Sequence, residues 1–139
     1  MPNAALRPFA TAIAVATLAL VTSLPARADL YEDFVIAVAN DRVSTVKELL
    51  AKGVDPNSVT PEGEPVLVNA ARNNYVATVD ALLAGKANVN AKSTFGDTAI
   101  MAAALGGHLD LVKKLRARGA QVDGPGWTPL IYAATGGHV

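Results

Sequence analysis

Gly126-Trp127-Thr128-Pro129-Leu130-Ile131-Tyr132-Ala133-Ala134-Thr135-Gly136-Gly137-His138 has a counterpart 30 residues earlier, Gly96-Asp97-Thr98-Ala99-Ile100-Met101-Ala102-Ala103-Ala104-Leu105-Gly106-Gly107-His108. Thr98 pairs with Thr128, Ile100 with Leu130, and the two Gly-Gly-His triplets coincide. A further step back of 33 residues aligns Gly96 with Gly63, Ile100 with Leu67, and Ala103-Ala104 with Ala70-Ala71. It also aligns Val112 with Val79, Leu115 with Leu82, and Ala120 with Ala87. One more step of 33 reaches Phe34, Ala37, Val46, Leu49 and Val54. So many residues of one class held in register mark an internal repeat, and a period of this size implies stacked units.

Each unit reads as helix, turn, helix and extended loop. Thr98 and Thr128 are N-cap residues whose hydroxyls accept from orphan helix amides. Pro129 follows at the first helical position, where its missing N–H costs nothing. A short Ala-rich helix then ends at Gly106-Gly107 and Gly136-Gly137, which suit a tight interhelical turn. The second helix carries apolar residues at helical spacing: Val43, Val46, Leu49 and Leu50, then Val76, Val79, Leu82 and Leu83, then Leu109, Val112 and Leu115. Gly53, Gly85 and Gly119 lie near the C-terminus of each second helix. Ala87-Asn88-Val89-Asn90 alternates apolar and polar residues, as a short hairpin arm does.

The Gly126–Ala134 passage, Gly107-His108-Leu109-Asp110-Leu111-Val112 and Ala87-Asn88-Val89-Asn90-Ala91 together resemble the ankyrin repeat family, over essentially all of 30–139. The resemblance implies an all-α repeat solenoid: stacked helix–turn–helix units with projecting β-hairpin loops. The units would occupy about 30–60, 61–93 and 94–124, with a partial unit at 125–139. Stability in such an array comes from nearest-neighbour interfaces, because no unit buries its own face. The resemblance also makes His108 and His138 supports of the Gly-His turn, in preference to ligands or general bases.

Repeat 2 departs from this pattern. Pro65-Val66 stands where Thr-Pro is expected, which removes the hydroxyl cap; Asn69 lies on the inner helix and Asn74-Tyr75 replaces Gly-His. In repeat 3, Arg116 occupies the position of Leu50 and Leu83. The last unit stops at Val139, just after its turn, so Leu130, Ile131 and Tyr132 are expected to be covered on one side only. Since solenoid ends carry polar caps, a truncated chain, or a stub packed on another surface, is the expectation, with self-association through the uncapped end.

The N-terminus has a different character. Arg7 precedes the uncharged stretch Phe9–Leu24, Pro25 interrupts it, and Ala26-Arg27-Ala28 places small residues at both positions that a signal peptidase reads. This is the layout of a secretory signal peptide over 1–28, with cleavage between Ala28 and Asp29. A retained membrane anchor is the alternative, but the 16 residues of 9–24 fall short of the roughly 20 that span hydrocarbon. Residues 1–28 hold two of the 12 basic residues and none of the 12 acidic ones, so the other 111 residues carry ten basic against twelve acidic, a formal charge of −2. That balance argues against general nucleic-acid binding. The absence of cysteine excludes disulfides, thiolate metal sites and a cysteine nucleophile.

No reactive constellation emerges, and no catalytic residue, metal ligand or cofactor is expected. Glu62 and Glu64 flank a turn glycine and read as solvated loop carboxylates. Ser44, Ser58 and Ser93 have no partner histidine and no nucleophile elbow. Lys113, Lys114, Arg116 and Arg118 read as a solvated outer helix whose cations favour its C-terminal dipole, with an anionic patch as the alternative. Phe95 and Trp127 sit on hairpin segments beside a repeat glycine, where large rings either pack on a neighbouring hairpin or serve as hot spots.

By resemblance, partners dock on the concave surface of hairpin tips and inner helices. In repeat 2 that surface maps onto Pro61, Glu62, Glu64, Arg72 and Asn73; in repeat 3, onto Thr94, Phe95, Asp97 and Leu105. Ala39 and Asn40 would contribute from repeat 1, and Pro125, Trp127 and Thr135 from the last unit. The expected function is a bacterial, exported, non-catalytic module that binds a protein partner in the periplasm or outside the cell. No nucleic acid and no stable membrane insertion after cleavage are expected. The alternatives are the ankyrin portion of a truncated enzyme or toxin, and a module tethered by a retained 9–24. Intact-mass analysis of the exported protein is expected to show Asp29 as the first residue; a mature chain that keeps residues 9–24 would favour the tether.

Overall fold

The computed structural model describes residues 25–124, 126, 127 and 131. The apolar stretch 9–24, the Thr128-Pro129 cap and His138 lie outside the described residues. The chain divides into two compact units, Met1–Glu32 and Asp33–Val139. Six helices are described: α1 (Pro25–Ala39), α2 (Val43–Ala51), α3 (Val66–Arg72), α4 (Val76–Ala84), α5 (Ala99–Leu105) and α6 (Leu109–Ala117). Of these, α1 runs through the Ala28–Asp29 bond. No helix among the described residues is long and apolar enough to cross a membrane.

The second unit is a two-layer stack. Inner helix α3 packs on inner helix α5, outer α2 packs on outer α4, and each of α3 and α5 packs on its own outer helix. The inner layer is built from small residues: Ala70, Ala71 and Ala103 are fully buried and Ala104 is nearly so. The outer stripe buries Val46 and Leu49, then Val79 and Leu82, then Val112 and Leu115, as the spacing requires. Leu109 is the exception, 54% exposed. It opens the first turn of α6, the position that Val43 and Val76 hold half-buried in the two preceding outer helices. Leu111 is buried in its place, at the repeat position of Thr78. Thr78 is itself buried, and its hydroxyl donates to Asp41 Oδ1 of the preceding unit at 2.7 Å.

The turns recur through backbone conformation as much as through residue identity. Asp41, Asn74 and Gly107, spaced by 33, all take positive φ between the inner and outer helix. Aspartate and asparagine tolerate the left-handed region through their short polar side chains, which is why repeats 1 and 2 do without glycine there. Asn40 and Asn73 cap the inner helices in those two repeats, donating from Nδ2 to the carbonyls of Ile36 (2.8 Å) and Asn69 (2.9 Å). Repeat 3 has Gly106 at the corresponding place, and its turn reaches back instead: His108 Nε2 donates to the Arg72 carbonyl at the end of α3 in the previous unit, at 3.1 Å. Its ring lies over Gly106, where any Cβ would meet it at 2.6 Å. The histidine is thus a support of the turn and a link between repeats.

The loops form hairpins of minimal extent, with one isolated bridge, Val59 to Pro65, and no strand among the described residues. Thr98 Oγ1 accepts from Met101 N at the start of α5, whereas Pro65 gives α3 no side-chain cap. The Val66 amide is taken instead by the Ser58 carbonyl at 3.0 Å. An asparagine ladder joins successive loops: Asn57 Oδ1 accepts from Asn88 N at 2.7 Å, and Asn90 Oδ1, 33 residues on, from Gln121 N at 2.8 Å.

The left-handed residue that ends each outer helix is Gly53, Lys86 or Gly119, so in repeat 2 the position falls one residue past Gly85. A lysine there carries the steric penalty that glycine avoids. Lys86→Gly is expected to raise stability by about 1 kcal/mol, read as a higher denaturation midpoint at unchanged slope. Gly63→Ala acts in the opposite sense: φ is +83° and the new methyl would meet Thr94 Cγ2 at 2.6 Å. Thermal unfolding is expected to show a loss of about 2 kcal/mol.

Candidate functional site

Two consecutive hairpins stand side by side. In the first, Thr60 N donates to Glu64 O at 2.8 Å and Gly63 N to Thr60 O at 2.8 Å; in the second, Ser93 N donates to Asp97 O and Gly96 N to Ser93 O, both at 2.9 Å. Ser93 is buried, and its hydroxyl accepts from the amides of Phe95 and Asp97, each at 3.2 Å. A serine that folds its oxygen onto the next amides fixes a tight loop. That loop projects Phe95 into solvent with 91% of its surface exposed. Of the two readings open to this ring, packing on a neighbouring hairpin is excluded.

Between the hairpins lies a cleft of about 240 Å³ lined by Glu62, Glu64, Arg72, Ser93, Thr94 and Phe95. The Glu64 side chain is only 16% exposed. It accepts from Asn69 Nδ2 at 3.1 Å and from the Arg72 guanidinium, which also lies 3.8 Å from Asp97. The expectation of a solvated loop carboxylate therefore holds for Glu62, which is exposed, and fails for Glu64. The reason is tertiary: the hairpin folds Glu64 back over the C-terminal half of α3, where Asn69 and Arg72 face it. Asn69 Oδ1 is buried with no hydrogen-bond partner among the described residues.

Five of the residues expected at a docking surface, Glu62, Glu64, Arg72, Thr94 and Phe95, thus line one cleft, and Asp97 joins them through Arg72. Leu105, 60% exposed, takes the Arg72 position one repeat on. Asn73 is exposed beside them, although its amide is engaged in capping α3. Trp127 is half-buried and does not line the cleft; its amide donates to Gly124 O at 3.3 Å. Pro125 and Thr135 lie outside the described residues. The sequence reading missed Ser93 and Asn69 as positioning groups. The signal for Ser93 was its place two residues before the exposed ring; for Asn69 it was a polar residue in an otherwise apolar helix.

The basic cluster lies on the outer layer. Lys114 Nζ pairs with Asp80 Oδ2 at 2.7 Å, joining α6 to α4, while Lys113, Arg116 and Arg118 are exposed. Lys114 and Arg116 occupy the last turn of α6, where cations favour the helix dipole.

A family model described as ankyrin repeats (3 copies) matches residues 34–123 and, in a second alignment, 67–139. No curated protein matches the chain. Repeats of this kind are protein–protein interaction modules and are generally non-catalytic. With most of its length matched, and with paired helices, left-handed turns and stacked hairpins recurring in step, the chain belongs to the ankyrin repeat family.

Proposed function

We propose that the protein is an exported, non-catalytic module that binds a protein partner on its hairpin and inner-helix face, centred on the cleft between the Thr60–Glu64 and Ser93–Asp97 hairpins. The observation that carries this reading is Phe95, a large ring left 91% exposed on a loop whose amides are tied to the buried Ser93 hydroxyl. Burying such a ring against a partner contributes about 2 kcal/mol from area alone, and its loop has already lost the conformational freedom that binding would otherwise remove. Leu105 extends the apolar contact along the same face. Export to the periplasm or beyond is supported by the 1–28 segment, with its uncharged stretch and the small residues before Asp29.

The test is capture of partners by the tagged full chain, comparing the native sequence with Phe95→Ala. The variant is expected to lose at least one specific partner, with affinity down about tenfold or more, while its circular dichroism and melting are unchanged. If every captured protein binds both chains equally, the cleft is not the docking site.

A further inference from the structure

Taking the docking reading above as its basis, we infer that the cleft selects an arginine-bearing segment of the partner, the guanidinium lying between Phe95 and the carboxylates of Glu62 and Asp97. Glu62 and Glu64 line the cleft with Arg72, and Asp97 lies 3.8 Å from that guanidinium at its edge, so three carboxylates face a single guanidinium and leave a surplus of two negative charges. The three are not equivalent. Glu64 is engaged by Arg72 and Asn69. Asp97 has only a long contact to Arg72, at 3.8 Å. Glu62 is exposed with no ion-pair partner among the described residues. The two carboxylates with spare acceptor capacity at this face are therefore Glu62 and Asp97. Arg72 is held by the inner carboxylate, and its charge is outnumbered there by three carboxylates to one.

The ring decides between kinds of cation. Phe95 walls the same cleft, and its exposed face attracts a cation through the ring quadrupole. A flat, weakly hydrated guanidinium stacks on that face while its fork donates to carboxylates; a compact ammonium does only the second well. Leu105, one repeat beyond Arg72, offers an apolar seat for the residue next to the arginine. An acidic or phosphorylated segment would meet the charge surplus unfavourably, and a purely apolar segment would leave Glu62 and Asp97 desolvated without partners.

The test is amide chemical-shift titration of the ¹⁵N-labelled protein with N-acetyl-Leu-Arg-Leu-amide, against the same peptide carrying citrulline or glutamate in place of arginine. Citrulline keeps the shape and removes the charge. The arginine peptide is expected to shift the amides of Glu62, Glu64, Phe95 and Asp97 in a saturable way, and to bind about tenfold more tightly than the citrulline peptide. Added salt should narrow that gap. Glu62→Gln combined with Asp97→Asn should weaken the arginine peptide about fivefold and leave the citrulline peptide unchanged. Phe95→Leu, which keeps apolar area and removes the ring, should weaken the arginine peptide alone, about threefold. Equal binding of the citrulline or glutamate peptide, or no saturable shift with the arginine peptide at millimolar concentration, overturns the arginine assignment. Neither result touches the docking reading, which stands or falls on partner capture with Phe95→Ala.

Discussion

Inner helices α3 and α5 pack on each other, both carry fully buried alanines, and how closely they approach sets the spacing of everything attached to them. Ala70, Ala71, Ala103 and Ala104 add only methyl groups to the buried layer of these two seven-residue helices. Helices this short are not stable alone. They persist because every unit buries apolar surface against the units before and after it, which makes the stability of the array a sum of local interfaces. A larger side chain in this row would force the units apart, and the hairpins and outer helices would follow.

Polar contacts then lock the register that the alanines permit. The asparagine ladder ties one loop to the next, Thr78 reaches back to Asp41, His108 reaches back to the Arg72 carbonyl, and Lys114 pairs with Asp80. Each joins adjacent repeats, and each donor or acceptor would otherwise compete with water at the edge of the stack. The outcome is a set of loops held by their own and their neighbours' hydrogen bonds. A scaffold of this kind can display a ring such as Phe95 without letting it collapse onto the protein, and that separation between a packed inner layer and a presented tip makes the hairpin face suited to binding.

The repeat, its period, the helix pairs and most of the core were legible in the chain itself, because apolar spacing and turn residues recur every 33 positions and local physics suffices to read them. The docking residues were legible only as positions on a face. Sequence could say that Glu62, Glu64, Arg72 and Phe95 would share a side, but not that Glu64 is folded under Arg72 while Glu62 stays free, since that depends on how far the hairpin bends over α3. It could not separate Phe95 from Trp127, which read alike beside repeat glycines. The structure leaves one almost wholly exposed and half-buries the other.

The sequence by itself determined the family, the order of helices and loops, and the apolar stripe of each outer helix, because these follow from periodicity and from the backbone demands of turns. Only the tertiary structure decided the cleft between neighbouring hairpins, the partnering of Arg72, and the burial of Leu111 in place of Leu109. Those depend on the distance and rotation between neighbouring repeats. Many side chains acting together set that geometry, and no single stretch of the chain encodes it.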